Sequence, residues 1–433
     1  MNVGVVMQVR LRISKWIINP LIGLLITMGT QSNIYTYVAM ILSVASIALY
    51  DEQESLCVLL FCISFTHIFK VTPGSTSLFV ILMLFYVAWN LIRTRQFSHI
   101  IGEIIVFVAY VVVVHLANGM MQITQLLKFA ANFLFLYVAT RYADYDKPRD
   151  LFLSYILGVV FSSLLVVSEA FPQIILYMDS DFEVHRFCGM HSDPNYYGVN
   201  LILSLCLIVI LYHRKELPVW ITLAMTGVLI WLCTLTVSKM VFLMLLIPCL
   251  LFIYSNFMNR RVWLQLIFVG ILIVLVGMVL SGKIEAFDAV LKRFESVDDA
   301  ASLTTGRSVK WEEYLDYIFN SARVILFGEG LNAPYSLASH GVPHNTYIDF
   351  LYNLGFVGTV GWIWCILRIF SLSVRRFDRR IINISVFACV MMMWMSLSEL
   401  IYFDMPFHLF LAFVVWNIPL TSFREESKIR FVA

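Results

Sequence analysis

Three cations and one histidine stand out as residues able to do chemistry: Arg186, Lys239, Arg307 and His344. Arg186 opens Arg186-Phe187-Cys188-Gly189, followed by Asp193-Pro194-Asn195; Lys239 follows Thr236-Val237-Ser238. Arg307 follows Thr305-Gly306, and His344 sits in Pro343-His344-Asn345, with Gly355 and Gly358 beyond it. An arginine fork grips phosphate oxygens bidentately and a lysine adds a point charge. An imidazole takes a proton near neutral pH. Together these groups suit holding a phosphorylated anion while a hydroxyl beside it is deprotonated, assistance of a kind worth about 10²–10⁴-fold in rate.

Each residue also has a structural alternative. Arg186 would serve as an interfacial side chain reaching lipid headgroups, and Lys239 as a partner for Glu399 or Asp404. Arg307 would be a solvated loop residue, and His344 a helix cap. His340, His185 and His191 are rival bases, and Glu103, Lys128 and Arg368 would line a conduction path or face polar partners. Gly355 and Gly358 would permit close helix packing.

The elements that must position these residues are read from composition. Of 433 residues, 60% are hydrophobic and only 13% charged, against roughly 25% charged in soluble chains. So little polar surface cannot coat a water-soluble particle, so the solvent for most of the chain is lipid. A net charge of +2 gives no reason to invoke nucleic acid. Seven of the eight cysteines fall in apolar runs without metal-ligand spacing, and no cleavable signal peptide is evident near Met1 to Lys15.

A spanning helix needs about 20 apolar residues. That ruler gives about fourteen spans (twelve to fourteen), near 16–30, 34–50, 55–70, 76–92, 99–117, 122–140, 151–170, 196–212, 218–235, 239–256, 262–280, 346–371, 381–400 and 405–421. Pro20 and Gly23 weaken the first. Alternate connections carry Lys and Arg, from Arg10, Arg12 and Lys15 through Arg93, Arg141, Arg214, Arg260 and Arg375 to Arg424, Lys428 and Arg430. Basic loops stay cytoplasmic, so both termini are expected there; the acidic connection Asp51–Glu54 breaks the pattern. On the outer side lie two longer segments, 171–195 and 281–343. The second holds an amphipathic helix with Trp311, Tyr314, Leu315 and Ile318 on one face, expected against the membrane surface or the bundle. All four candidate residues fall on that outer side although the topology was assigned without them.

Taken in order, these segments resemble the O-antigen polymerase and O-antigen ligase superfamily of bacterial surface-polysaccharide enzymes. The matching elements are Arg186, Gly189, Pro194 and Asn195; Thr236-Val237-Ser238-Lys239; Gly306, Arg307 and Trp311; Gly328-Glu329-Gly330; and His344, Asn345, Gly355 and Gly358. They cover roughly residues 180–420, and Lys239 stands where an arginine is usual. The resemblance implies an all-α, polytopic glycosyltransferase of the GT-C type in the bacterial inner membrane, acting on the periplasmic face. Its donor would be a glycan on undecaprenyl diphosphate. The acceptor would be another lipid-linked repeat unit for a polymerase, the first choice on span count, or lipid A–core for a ligase. A lipid-linked oligosaccharide flippase ranks below both. In this reading Arg186, Lys239 and Arg307 hold the diphosphate, His344 is the base, and Asn195, Asn345 and His340 support them. Inversion at the anomeric carbon, no metal and no cofactor are expected, with membrane lipids and optionally a chain-length regulator as further partners.

Overall fold

The computed structural model describes residues 14–72, 74–94, 99–119, 123–145, 147–169, 171, 177–179, 184–191, 193–258, 306–331, 343–371 and 404–417. Fifteen helices occur among them: α1 (Lys15–Met28), α2 (Asn33–Leu49), α3 (Glu52–Cys62), α4 (Leu78–Thr94), α5 (Ile100–Ala117), α6 (Ile123–Tyr142), α7 (Arg149–Val167), α8 (Pro194–His213), α9 (Val219–Leu235), α10 (Lys239–Met244), α11 (Leu246–Met258), α12 (Arg307–Phe319), α13 (Ala322–Phe327), α14 (Thr346–Ser371) and α15 (Asp404–Asn417). A short antiparallel ribbon, β1 (Tyr177–Asp179) and β2 (Val184–Arg186), interrupts the helices with Tyr177 opposite Arg186. That ribbon was not legible in the sequence.

Five of these helices, α5, α6, α7, α8 and α14, are long and apolar enough to cross a membrane, and shorter apolar helices accompany them. The expected spans at 262–280 and 381–400 lie outside the described residues. Most of the helices share one buried apolar core in which aromatic rings stack across elements, as Phe135 does on Phe407 at 4.2 Å, while α12, α13 and the head of α14 pack around a smaller cluster of their own. α8 is the most enclosed of the five long helices, which makes it the axis on which the others are hung. Hydroxyls inside the helices return to the backbone one turn earlier, such as Thr27 Oγ1 to Gly23 O at 2.8 Å and Ser43 Oγ to Ala39 O at 2.7 Å, the economical way to satisfy them where water is absent.

One end of the bundle is stitched by charge. Lys15 Nζ lies 2.6 Å from Asp150 and 3.8 Å from Glu54, and Glu52 lies 3.4 Å from Arg93. The acidic connection that disturbs the charge pattern therefore faces its own basic neighbours, and Asp51 also caps α3 through Glu54 N at 2.8 Å. At the end of α14, Arg368 makes a fork on Glu103 of α5, with Nη2 to Oε1 at 2.8 Å and Nε to Oε2 at 3.0 Å. Trp364 Nε1 donates to the same carboxylate at 3.0 Å. Glu103 and Arg368 are thus a clamp between two helices.

α14 is broken at Gly355 (φ 64°, ψ −175°), a region that only glycine enters cheaply. Gly328, at the end of α13, takes φ 75° and ψ −176°. The two face each other: a Cβ on Gly355 would lie 2.5 Å from Phe327 N, and one on Gly328 2.5 Å from Asn353 O. Helical carbonyls released by the break find new donors. Glu329 N reaches Tyr352 O at 2.8 Å and Gly330 N reaches Asn353 O at 2.9 Å. Tyr110 Oη reaches Leu354 O at 3.2 Å. Gly358 serves the close packing expected of both glycines, since a Cβ there would lie 3.0 Å from the Tyr110 ring, whereas Gly355 does more and locks α13 onto α14 through the backbone.

Gly355→Ala should therefore destabilise the detergent-solubilised protein by about 1–3 kcal/mol or more. Gly227→Ala, where an added Cβ meets nothing within 4 Å, should leave the thermal midpoint unchanged or raised. Equal midpoints for the two variants would refute the interlock.

Candidate functional site

The head of α8 gathers the first three elements. Asp193 is extended and caps the helix, its Oδ1 accepting from Asn195 N at 2.6 Å and Tyr196 N at 3.4 Å, while Pro194 supplies the first turn. Asp-Pro before an apolar run is a helix-start signal, since proline costs nothing where no intrahelical acceptor exists. Asn195 Oδ1 accepts from Ser238 Oγ at 2.7 Å, and Ser238 in turn caps α10, whose first residue is Lys239. Arg186, 6% exposed at the end of β2, donates from Nε to Thr236 O at 3.2 Å. The neighbouring Phe187 N donates to Leu235 O at 2.9 Å. Arg186, Asn195 and the Thr236–Lys239 turn are therefore bonded into one unit.

α12 and α14 bring the other two candidates. Gly306 (φ 75°) precedes α12, so Arg307 is its first residue. The apolar face Tyr314 and Ile318 packs with Val324, Ile348 and Tyr352. Of the two surfaces expected for this helix, it rests on the bundle, at the head of α14. Trp311 Nε1 donates to Pro343 O at 2.7 Å, fixing the residue before the histidine. His344 adopts φ 49°, uncommon outside glycine. Asn345 then caps α14, its Oδ1 accepting from Tyr347 N at 3.0 Å and Ile348 N at 3.3 Å. A strained histidine held between an anchored carbonyl and a cap points to a functional constraint, the direction in which strain is properly read.

The electrostatics join the two halves. His344 is pushed down to about 4, first by burial and then by the nearby charges of Arg307 and Lys310, with the Asp193 carboxylate opposing them. Burial also lowers Arg307, against the favourable fields of Asp193 and the Tyr196 phenol. Arg307 and His344 on one side and the head of α8 on the other thus lie within electrostatic reach of one another. The imidazole is neutral at neutral pH, as a base must be. The surrounding cations favour an anion, and an anion there would raise the proton affinity of His344.

Of the supporting candidates, Asn195 ties α8 to α10 and Asn345 is a helix cap, whereas His340 and the side chain of His185 lie outside the described residues. His191 is buried, with Nε2 3.5 Å from Asn200 Nδ2 and its ring against those of His67 and Tyr197. Asn200 Oδ1 also meets His408 Nε2 at 2.9 Å. This polar group sits in the core behind the head of α8 and makes His191 a packing histidine. Among the described residues no set of three His, Cys, Asp or Glu side chains could hold a metal ion. Sequence reasoning missed Asp193 as a participant, although its helix-start signal was in plain view.

Lys239, Arg307, Trp311, His344 and the glycine interlock all fall in one stretch recognised by comparison with known families. No curated protein and no solved structure matches the chain. Residues 227–363, by contrast, match the family model described as O-antigen ligase. Over those residues the chain is similar to that family, consistent with the superfamily of O-antigen polymerases and ligases.

Proposed function

We propose that this protein is a glycosyltransferase of surface-polysaccharide assembly, joining repeat units carried on undecaprenyl diphosphate at the periplasmic face of the inner membrane. The reading is supported by the bond from Arg186 to the turn that carries Lys239, by Arg307 and His344 lying within the field of Asp193 at the head of α8, and by the fall of Lys239, Arg307 and His344 inside the O-antigen ligase match. Their end of the bundle is opposite the end stitched by Lys15, Arg93 and Arg368, and basic ends stay cytoplasmic. That supports an inner end at Lys15 and an outer site; the proposed topology further has about fourteen spans, both termini inside and the 171–195 and 281–343 segments outside, on a GT-C-like scaffold.

In this mechanism the cations hold the donor diphosphate. His344 accepts the proton of the acceptor hydroxyl as its oxygen bonds to the anomeric carbon. The bond from that carbon to the diphosphate oxygen breaks, and its electron pair leaves with the diphosphate, whose growing charge Arg186, Lys239 and Arg307 stabilise. His344 then releases its proton to solvent. Attack opposite the leaving group inverts the anomeric carbon, and no metal is required because the diphosphate is already a good leaving group. The acceptor is a second lipid-linked repeat unit, which makes the protein a polymerase; transfer to lipid A–core, a ligase reaction, is the second reading, favoured by the description of the matching family.

His344→Ala should yield a folded, membrane-inserted protein that makes no polymer; polymer at the wild-type level would end the base assignment. Arg307→Lys keeps the charge but not the fork and should lose about 10-fold or more in transfer rate with purified protein and lipid-linked glycan. A chelator should leave that rate unchanged, and its abolition would contradict the metal-free mechanism. In a strain lacking the protein, single repeat units still attached to the core identify a polymerase, whereas loss of all attachment identifies a ligase.

A further inference from the structure

We propose that α13 is an interfacial anchor lying in the lipid leaflet on the side of the candidate site, its apolar face set into the boundary between headgroups and acyl chains. The proposal concerns where this corner of the fold sits and stands independently of the transfer reaction. The turn from α12 into α13 leaves three large apolar side chains outside the core: Phe319, Leu326 and Phe327 are 66, 43 and 45% exposed. Single exposed apolar residues are ordinary, but α13 leads into a larger surface. Gly328 and Gly355 meet backbone to backbone, and a Cβ on Gly355 would lie 2.5 Å from Phe327 N, so Phe327 adjoins the part of α14 beyond its break. From there Phe356, Val360, Ile363 and Leu367 are exposed, at the spacing of one helical face. Before the break, by contrast, only Tyr347 of the residues from Thr346 to Leu354 is exposed. α14 therefore passes from a protein-covered piece to a lipid-facing one at Gly355, and α13 arrives at that step.

The end of α5 fixes the level. That helix is long and apolar enough to cross a membrane, exposes Val106, Val113 and Leu116, and stops at Ala117. Asn118, just past its end, donates to Gly328 O at 3.5 Å and accepts from Arg323 of α13. α13 thus lies at the level where a spanning helix ends. Its cation does not oppose insertion, because the Arg323 guanidinium lies 2.6 Å from Glu329, and Tyr317 Oη donates to the same carboxylate at 2.8 Å. The outward side of α12 differs, since Glu312 and Asp316 are exposed there and suit water. Interfacial elements sink an apolar face about 5–10 Å into the headgroup and acyl boundary and keep charge toward water, which is the division between α13 and α12. A lipid leaflet is the occupant because the α13 patch joins the exposed apolar faces of α5 and α14. Since α13 is bonded to the break of α14 and α12 packs with both, the anchor sets the height of Arg307 and His344 over the leaflet.

A bimane fluorophore attached to single introduced cysteines tests the placement. Full-length Phe327→Cys and Leu326→Cys proteins in nanodiscs of phosphatidylethanolamine and phosphatidylglycerol should be quenched severalfold more by a lipid bearing a nitroxide near its headgroup than by aqueous iodide. Asp316→Cys should show the opposite order, and Val360→Cys should prefer a nitroxide further down the acyl chain. The wild type taken through the same labelling supplies the background from the native cysteines, most of which are buried among the described residues. Iodide quenching at 326 and 327 equal to that at 316 would put α13 in water and overturn the proposal. Protection from both quenchers would mean that protein, such as a second copy of the chain, covers the patch, and would overturn it equally. Both substituted positions are exposed, where exchanges cost little stability, and either variant alone decides the question if the other fails to fold. The readout needs no turnover, so its failure is separate from any failure of the transfer assay.

Discussion

A backbone carbonyl in hydrocarbon has no water to turn to, and the break of α14 at Gly355 creates several such carbonyls at once. The structure answers with the N–H groups of Glu329 and Gly330 and the phenol of Tyr110. Because those donors belong to other parts of the chain, satisfying the carbonyls also fixes α13, and through it α12, against α14. Arg307 at the start of α12 and His344 before α14 then have a defined separation. The relative placement of α12 and α14 therefore depends on this interlock.

The second constraint is electrostatic. Cations gathered in a partly buried rim repel one another and depress the proton affinity of any base among them. The single carboxylate at the head of α8 offsets part of that field without neutralising it. At the opposite end Lys15, Arg93 and Arg368 each find a carboxylate close by, and charge paired in this way holds helices together.

Much of this was legible in the sequence. Hydropathy alone marked the long apolar helices, and the spacing of Trp311, Tyr314, Leu315 and Ile318 marked α12. Apolar period and residue chemistry are local properties, so a linear reading reaches them. The β1–β2 ribbon escaped because three-residue strands leave no period to detect. Asp193 was visible as a cap but not as a charge felt by Arg307, since that requires knowing how α12 lies relative to α8. The role of Gly355 escaped for the same reason: a glycine in an apolar run reads alike whether it admits a neighbouring ring or breaks a helix. Lys239 and Glu103 were each open to several partners, and for Glu103 only three dimensions selected Arg368.

α14 is gripped twice, by the Arg368 fork near its far end and by Gly328 at its break. These grips divide it into a short upper piece of about 13 Å bearing Asn345 and a longer lower piece of about 24 Å, at 1.5 Å per residue. α5 reaches both pieces, the lower one through Glu103 on Arg368 and the upper one through Tyr110 on the Leu354 carbonyl, so a change in the slant of α5 is carried to both sides of the break at once.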